Sequence, residues 1–276
     1  MVTRLFLNAD RRLRSGWWIA LFLVVLAGLL LPLILSAHDV NTGVPLYQQA
    51  GVVIIASLFC QLLRRRPVSE MFGAADLRWP LDLLVGAALG GLLMLVPAAL
   101  LFASGLVTFP MNAPDLAGFW PVIGVLAAAA VTEEVLFRGF LFQRFIDGVG
   151  VWPAQIVIAA LFTLTHSDAL REIGVQGLLA GANIFLASIM FGLAFWRTRS
   201  LALPLGLHFA ANVVQGPMLG FGVSGDDQPG WLTPVMAGDQ SWMTGGAFGL
   251  EASVPGFVSV VVMTLLLWAW RMPTGK

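Results

Sequence analysis

Two adjacent glutamates, Glu133 and Glu134, are the residues of this chain best suited to chemistry. They follow the apolar run from Leu126 to Val131, and Arg138 stands four residues after the second glutamate. A carboxylate that can accept a proton is able to activate a water molecule as a general base. The pair is therefore a candidate catalytic centre, and the simpler alternative is a structural ion pair between helices.

Helix geometry separates the roles of these three charged residues. At 100° per residue, Glu134 and Arg138 lie about 40° apart, so they share a face and can form an ion pair. Glu133 points about 100° away from Glu134 and about 140° away from Arg138. We therefore expect Arg138 to neutralise Glu134 and to leave Glu133 facing another element.

Two of the three histidines stand in short polar patterns. Phe162 precedes His166 by four residues, and Asn212 follows His208 by four, so each pair shares one helix face. A histidine and an asparagine that project together into a helix bundle can donate hydrogen bonds to an oxyanion. Taken singly, each histidine is more typical of a structural hydrogen bond between helices.

The composition shows which kind of protein must hold these residues. Of 276 residues, 58% are hydrophobic and 11% are charged, and the formal net charge is zero. A soluble domain carries about 25% charged residues, and a nucleic-acid-binding protein carries a basic excess. The single cysteine, Cys60, cannot form an internal disulfide. These values predict an integral membrane protein that does not bind nucleic acid.

The charge-free intervals predict the fold class. A membrane-spanning helix needs about 20 apolar residues with few charges, and the chain contains eight such intervals. The predicted fold is an all-α, polytopic membrane helix bundle with about eight transmembrane helices. The predicted spans are 16–36, 45–63, 83–107, 118–143, 150–167, 173–196, 201–221 and 253–270.

The basic residues predict the orientation. With a cytoplasmic N-terminus and eight crossings, every Lys and Arg except Arg171 falls on the cytoplasmic side, as the positive-inside rule requires. Both termini are therefore predicted to be cytoplasmic. We divide the chain into two N-terminal spans (1–79), a catalytic membrane core (80–221), and an outer loop with the last span (222–276). The loop 222–251 is either a lid or a flexible connection.

Three motifs in order resemble a known family. Glu133-Glu134-Val-Leu-Phe-Arg138, Phe162-Thr-Leu-Thr-His166 and His208-Phe-Ala-Ala-Asn212 resemble the motifs of the CAAX prenyl protease type 2 family. This family is also called the CAAX protease and bacteriocin-processing (Abi) family of intramembrane endopeptidases. The resemblance covers about residues 80 to 220.

The resemblance implies a role for each motif residue. Glu133 and His166 would activate water, and His208 and Asn212 would form the oxyanion hole. Arg138 would orient the carboxylates, with Glu134 and Phe162 in support. The implied substrate is a membrane-associated or lipidated peptide or protein, since eukaryotic members cleave the last three residues from prenylated proteins. The implied location is the bacterial cytoplasmic (inner) membrane, with membrane lipids as partners.

A zinc cofactor is the alternative to a metal-independent mechanism. Glu133, His166 and His208 would supply two histidines and a carboxylate, with an open position for water. The His-Glu-x-x-His signature of zinc proteases is absent from the chain. A metal-independent glutamate mechanism with no cofactor is therefore favoured, and zinc stays possible.

Two other functional classes compete with an endopeptidase. A non-catalytic membrane scaffold or a bacteriocin-immunity protein would keep the same residues as buried helix-packing pairs. A transporter or proton pathway would use Glu and His as a relay, but the sequence has no inverted repeat. The oligomeric state is open, because Gly86 and Gly90 offer a close-packing face that can serve contacts within or between chains.

Overall fold

The computed structural model describes residues 6–7, 12–36, 43–110, 116–227 and 230–270, and these residues are predominantly helical. This confirms the predicted all-α membrane helix bundle. The α-helices are α1 (Ser15–Ser36), α2 (Leu46–Leu63), α3 (Ser69–Phe72), α4 (Arg78–Ala103), α5 (Leu116–Glu134), α6 (Leu141–Val149), α7 (Val151–Leu164), α8 (Ser167–Glu172), α9 (Gln176–Thr198), α10 (Ala202–Val213), α11 (Ser241–Thr244) and α12 (Val254–Ala269). Shorter elements are π-turns at Val135–Phe140 and Val214–Met218, 3₁₀ turns at Gly246–Phe248 and Leu250–Ala252, and strands β1 (Val107–Thr108) and β2 (Val235–Met236).

Each of the eight predicted segments contains a helix. Within the described residues, five helical stretches are long and apolar enough to cross a membrane, namely Ser15–Ser36, Leu46–Leu63, Arg78–Ala103, Gly118–Val149 and Gln176–Thr198. The other three segments hold shorter helices, α7, α10 and α12, of 14, 12 and 16 residues. The predicted orientation of the bundle stays a prediction.

Leucine side chains cover much of the outer surface of the bundle. On α4, Leu84, Leu92 and Leu100 are spaced eight residues apart and are all more than half exposed. A soluble protein rarely exposes such a continuous apolar face. A face of this kind fits contact with lipid, because the polar side chains of membrane helices face the interior of the bundle.

Glycines bring α4 and α10 into backbone contact. A methyl group at Gly86 would clash with the carbonyl oxygen of Leu203, and one at Gly90 would clash with that of Leu207. From the other side, Gly206 lies against the backbone of α4 at Leu83. Small residues allow such close approach in membrane bundles. Gly86 and Gly90 therefore serve a contact within the chain, one that fixes the position of α10.

The long outer loop folds against the bundle over its described residues, 222–227 and 230–251. β1 and β2 form an antiparallel pair in which Val107 lies opposite Met236. Phe248 and Leu250 near the end of the loop are fully buried. The loop is thus packed onto the helices rather than extended from them.

We expect Gly90→Ala to destabilise the bundle, because the added methyl group would separate α4 from α10. Overpacking of this kind typically costs about 1–3 kcal/mol, so the midpoint of thermal unfolding in detergent should fall. Gly91→Ala is the matched control, because its methyl group would meet only Val214 Cγ2 at 3.8 Å. Equal unfolding temperatures for the two variants would contradict the packing described.

Candidate active site

The motif residues come from α5 and the π-turn after it, from α7 and the link that follows it, and from α10. Glu133 and Glu134 end α5, and the π-turn Val135–Phe140 directly follows them. His166 links α7 to α8, and His208 lies in the middle of α10. π-turns are rare and occur frequently at functional sites. A second π-turn follows α10, so α5 and α10 both change helical geometry beside the site.

One cavity joins these residues. The motif side chains on its wall are Glu133, Phe162, His166, His208 and Asn212. Its volume is about 60 Å³, which is room for a few water molecules. The structure thus brings Glu133, Phe162, His166, His208 and Asn212 to one small chamber with polar and apolar walls. Glu134 and Arg138 do not line it.

The carboxylate of Glu134 is held by two donors. Its Oε1 accepts from Nη1 of Arg138 at 3.1 Å and from Nδ1 of His208 at 2.8 Å. Nη2 of Arg138 donates to the Ser188 hydroxyl at 2.8 Å and to the Ser188 carbonyl at 3.1 Å. The side chains of Glu134 and Arg138 are both fully buried. The ion pair expected from their spacing is present, and it also positions His208.

Aromatic rings enclose the guanidinium group of Arg138. The group lies 4.7 Å from the ring centre of Phe162 and 5.1 Å from that of Phe191. Within the described residues, its Nε and Oε2 of Glu134 have no hydrogen-bond partner. Cation–π contacts stabilise a desolvated guanidinium. The rings therefore complete a site that hydrogen bonds leave partly unsatisfied.

Glu133 faces the cavity, as its position on the helix predicts. Its side chain is 28% exposed, and its Oε2 lies 3.7 Å from Nε2 of His208. This distance is too long for a direct hydrogen bond. Both atoms are therefore available to an oxygen atom of water or of a substrate.

The hydrogen bonds of His166 fix its tautomer. Its Nδ1 lies 2.9 Å from the carbonyl oxygen of Phe162 and 3.3 Å from Oγ1 of Thr165. A carbonyl oxygen can only accept, so Nδ1 carries a proton and Nε2 of the neutral ring keeps its lone pair. A lone pair on this cavity-lining histidine can accept a hydrogen bond from water.

The ring of His208 is held flat against Phe191. The two rings stack with centroids 4.8 Å apart and an interplanar angle of 16°. Phe162 contacts both histidines, at 5.0 Å from His166 and 6.5 Å from His208. Asn212, one helical turn beyond His208, is 8% exposed and lines the same cavity. Phe162 thus lies beside both histidines on the wall of the chamber.

Sequence reasoning missed three polar residues of the cavity wall, Asn183, Ser224 and Glu251. The Ser224 amide and hydroxyl both donate to Oε2 of Glu251 at 2.9 Å. Nδ2 of Asn183 donates to the Glu251 carbonyl at 2.7 Å. Oδ1 of Asn183 is buried and without a partner among the described residues. Of the three, only Asn183 could have been found from the sequence, because it is a polar amide within an apolar helix.

The three residues named for the alternative zinc mechanism are not grouped as a metal-ligand set in the part of the chain that the structure describes. Nowhere in that part of the chain are three or more His, Cys, Asp or Glu side chains grouped so that they could hold a metal ion. Glu133, His166 and His208 line one cavity without converging on one point, so we derive no step through a metal.

Apolar helices surround a small cavity whose wall carries Glu133, His166 and His208. This arrangement defines an integral membrane protein with an internal site that contains titratable side chains. Residues 115–214 match the family model described as "Type II CAAX prenyl endopeptidase Rce1-like". This range contains all three motifs, so the resemblance inferred from them is confirmed over these residues. Ser224 and Glu251 lie beyond the matched range.

A similar protein is the "Uncharacterized 24.3 kDa protein" of Escherichia coli. The two chains are 28% identical over 95 residues, which are 34% of this chain and 41% of that protein. The match thus spans about two fifths of the relative's length. That name states no activity.

We expect Arg138→Ala to be strongly destabilising, because it leaves the buried carboxylate of Glu134 without its cation. Breaking a buried pair in this way costs about 3–5 kcal/mol. Chemical or thermal unfolding in detergent measures the effect. Arg171→Ala is the matched control, because Arg171 pairs with Asp168 across an exposed surface, where such a pair contributes about 0–1 kcal/mol. Similar losses in the two variants would contradict the analysis of the site.

Proposed function

We propose that this protein is an intramembrane endopeptidase of the CAAX-protease type that hydrolyses a peptide bond in a membrane-associated or lipidated substrate. The observation that carries this proposal is the meeting of Glu133, His166, His208 and Asn212 at one cavity of a membrane bundle. The match of residues 115–214 to the prenyl endopeptidase family supports the same class of activity. We propose the bacterial cytoplasmic membrane as its location.

In the proposed first step, a water molecule in the cavity attacks the carbonyl carbon of the scissile peptide bond. Glu133 accepts the proton of this water, and Nε2 of His166 accepts its other hydrogen bond. The new carbon–oxygen bond pushes the electron pair of the carbonyl onto oxygen. The product of this step is a tetrahedral oxyanion.

The oxyanion is stabilised from the α10 side of the cavity. Asn212 donates from its side-chain amide. Nδ1 of His208 already donates its proton to Glu134. His208 therefore donates to the oxyanion from Nε2, in the doubly protonated form of the ring. Donors of this kind, fixed before the reaction, give large stabilisation of the transition state. Collapse of the intermediate breaks the carbon–nitrogen bond, and the proton on Glu133 passes to the leaving amine.

Substrate entry requires part of the wall to move. A cavity of about 60 Å³ is too small for a peptide segment. The outer loop contributes Ser224 and Glu251 to the wall, and Asn183 of α9 is bonded to the backbone of Glu251. We propose that displacement of this loop segment admits the substrate, which gives the loop 222–251 the role of a lid.

Glu133→Ala and His166→Ala are each expected to abolish cleavage, because each removes a group that activates water. A farnesylated peptide ending in a CAAX sequence is the first probe, assayed with protein in detergent or liposomes. A comparison of cleaved peptides from membranes with wild-type protein or Glu133→Ala tests substrates of other kinds. Wild-type cleavage by Glu133→Ala would overturn the assignment.

Glu172→Gln is the matched control for this experiment, because Glu172 ends α8 outside the residues that line the cavity. It should keep wild-type activity. The same variants also test the alternative of a non-catalytic scaffold or immunity protein. In that case Glu133→Ala and His166→Ala would lower the unfolding temperature, and the wild-type protein would show no cleavage to lose.

The glutamate mechanism predicts that activity survives removal of metal ions. Protein treated with 1,10-phenanthroline and then dialysed should cleave the farnesylated peptide at the untreated rate, because Glu133 and His166 activate water without an ion. Cleavage products measured by mass spectrometry give the comparison. A complete loss that added Zn²⁺ restores would instead favour a zinc mechanism.

A further inference from the structure

Asn183 is a polar residue of the cavity wall to which the proposed reaction gives no role. It belongs to α9 and is 2% exposed. Its Nδ2 donates to the carbonyl oxygen of Glu251 at 2.7 Å. A carbonyl oxygen can only accept, so the atom that faces Glu251 is the nitrogen, and the other polar atom of the side chain is the acceptor Oδ1. The hydrogen bond to Glu251 thus fixes the orientation of the amide.

Oδ1 of Asn183 is a buried acceptor that has no donor among the described residues. Buried side-chain polar atoms nearly always have a partner, and an acceptor without one keeps the cost of its desolvation. A donor that comes from outside the chain would remove this cost. At the wall of a cavity where a peptide is proposed to react, the substrate itself can bring such a donor.

The position of Asn183 along α9 shows which part of a substrate it can reach. Asn183, Ala187 and Phe191 are spaced four residues apart and all line the cavity, so they share one helix face. Asn183 lies about 12 Å along the helix axis from Phe191, and Phe191 stacks on His208. An extended peptide advances about 3.3 Å per residue. Asn183 is therefore more than one residue away from a carbonyl group held by His208.

The outer loop occupies the amide of Asn183 in this structure, through the backbone of Glu251. Displacement of this loop segment, as proposed for substrate entry, would remove the partner of Nδ2. The amide would then be free to bind an incoming peptide. Asn183 thus stands where the loop leaves and the substrate arrives.

We propose that Asn183 binds the substrate, with Oδ1 accepting a hydrogen bond from the backbone N–H of a residue that flanks the scissile bond. The proposal rests on the proposed peptidase function, and it adds a determinant of specificity. Every residue of a peptide except proline carries a backbone N–H. The contact therefore tolerates any side chain at that position and excludes proline.

Peptide binding to the Glu133→Ala protein tests the proposal, since this variant is expected to bind substrate without cleaving it. The probes are farnesylated peptides in which one backbone amide at a time, on either side of the scissile bond, is replaced by an ester that lacks the N–H. One ester should raise Kd about three- to tenfold, the value of one neutral hydrogen bond. When Asn183→Leu is added, the same ester should have no effect. Such a double-mutant cycle isolates the contact between the two groups.

Gln176→Leu in the same background is the matched control. Gln176 also belongs to α9 and holds the same outer loop, because its Nε2 donates to the carbonyl oxygens of Ser241 and Ala252 at 2.8 and 3.1 Å. It does not line the cavity, so its loss should loosen the loop and leave the ester effect intact. Asn183→Ala is a second variant that removes the amide without adding bulk. Unfolding temperatures in detergent check that each variant folds.

Three results would overturn the proposal: no ester that weakens binding, an ester effect that persists in both Asn183 variants, or an ester effect that the Gln176 control also loses. Failure of the peptides to bind the Glu133→Ala protein would overturn it as well. Cleavage by the wild-type protein is measured separately. Coupling between Asn183 and one ester without wild-type cleavage would support the contact and contradict the peptidase function, whereas cleavage without coupling would do the reverse.

Discussion

The carboxylate of Glu134 is the group on which the rest of the site depends. One of its oxygens binds both Arg138 and His208, and Arg138 continues to Ser188 on α9. A single buried anion thus connects α5, α9 and α10. A charge at this depth is costly unless it is paired, so the three elements must stay together for the ion to remain neutralised.

This arrangement explains why two adjacent glutamates have different environments. Glu134 is directed at the cation, and Glu133, one residue earlier, is rotated to the cavity. The geometry beyond them is set by the π-turn, where Gly139 departs from helical dihedrals (φ −72°, ψ −114°). A regular α-helix would keep the same axis and the same 100° step through these residues. The π-turn instead changes the direction of the chain at Gly139, so that α6 follows a different axis from α5.

The sequence predicted those features that depend on local spacing. The pairing of Glu134 with Arg138 follows from a four-residue interval, and the apolar segments follow from the scarcity of charge. The meeting of His166 with His208 at one level could not be derived from straight helices. The places of Ser224 and Glu251 on the cavity wall depend on the path of a long loop, which no periodic pattern encodes. Ser224 and Glu251 are 27 residues apart in sequence, so the three- and four-residue spacing of a helix does not predict their contact.

The charged pairs of the molecule obey different physical constraints. Arg138 lies in the interior, where neither water nor lipid headgroups can solvate it, and it is balanced by one buried carboxylate. Arg171 pairs with Asp168 where both side chains are exposed. Loss of the partner would be prohibitive at the depth of Arg138, because a buried ion without its partner keeps its desolvation cost. The same loss is tolerable at the exposed pair, because solvent can replace the missing partner there.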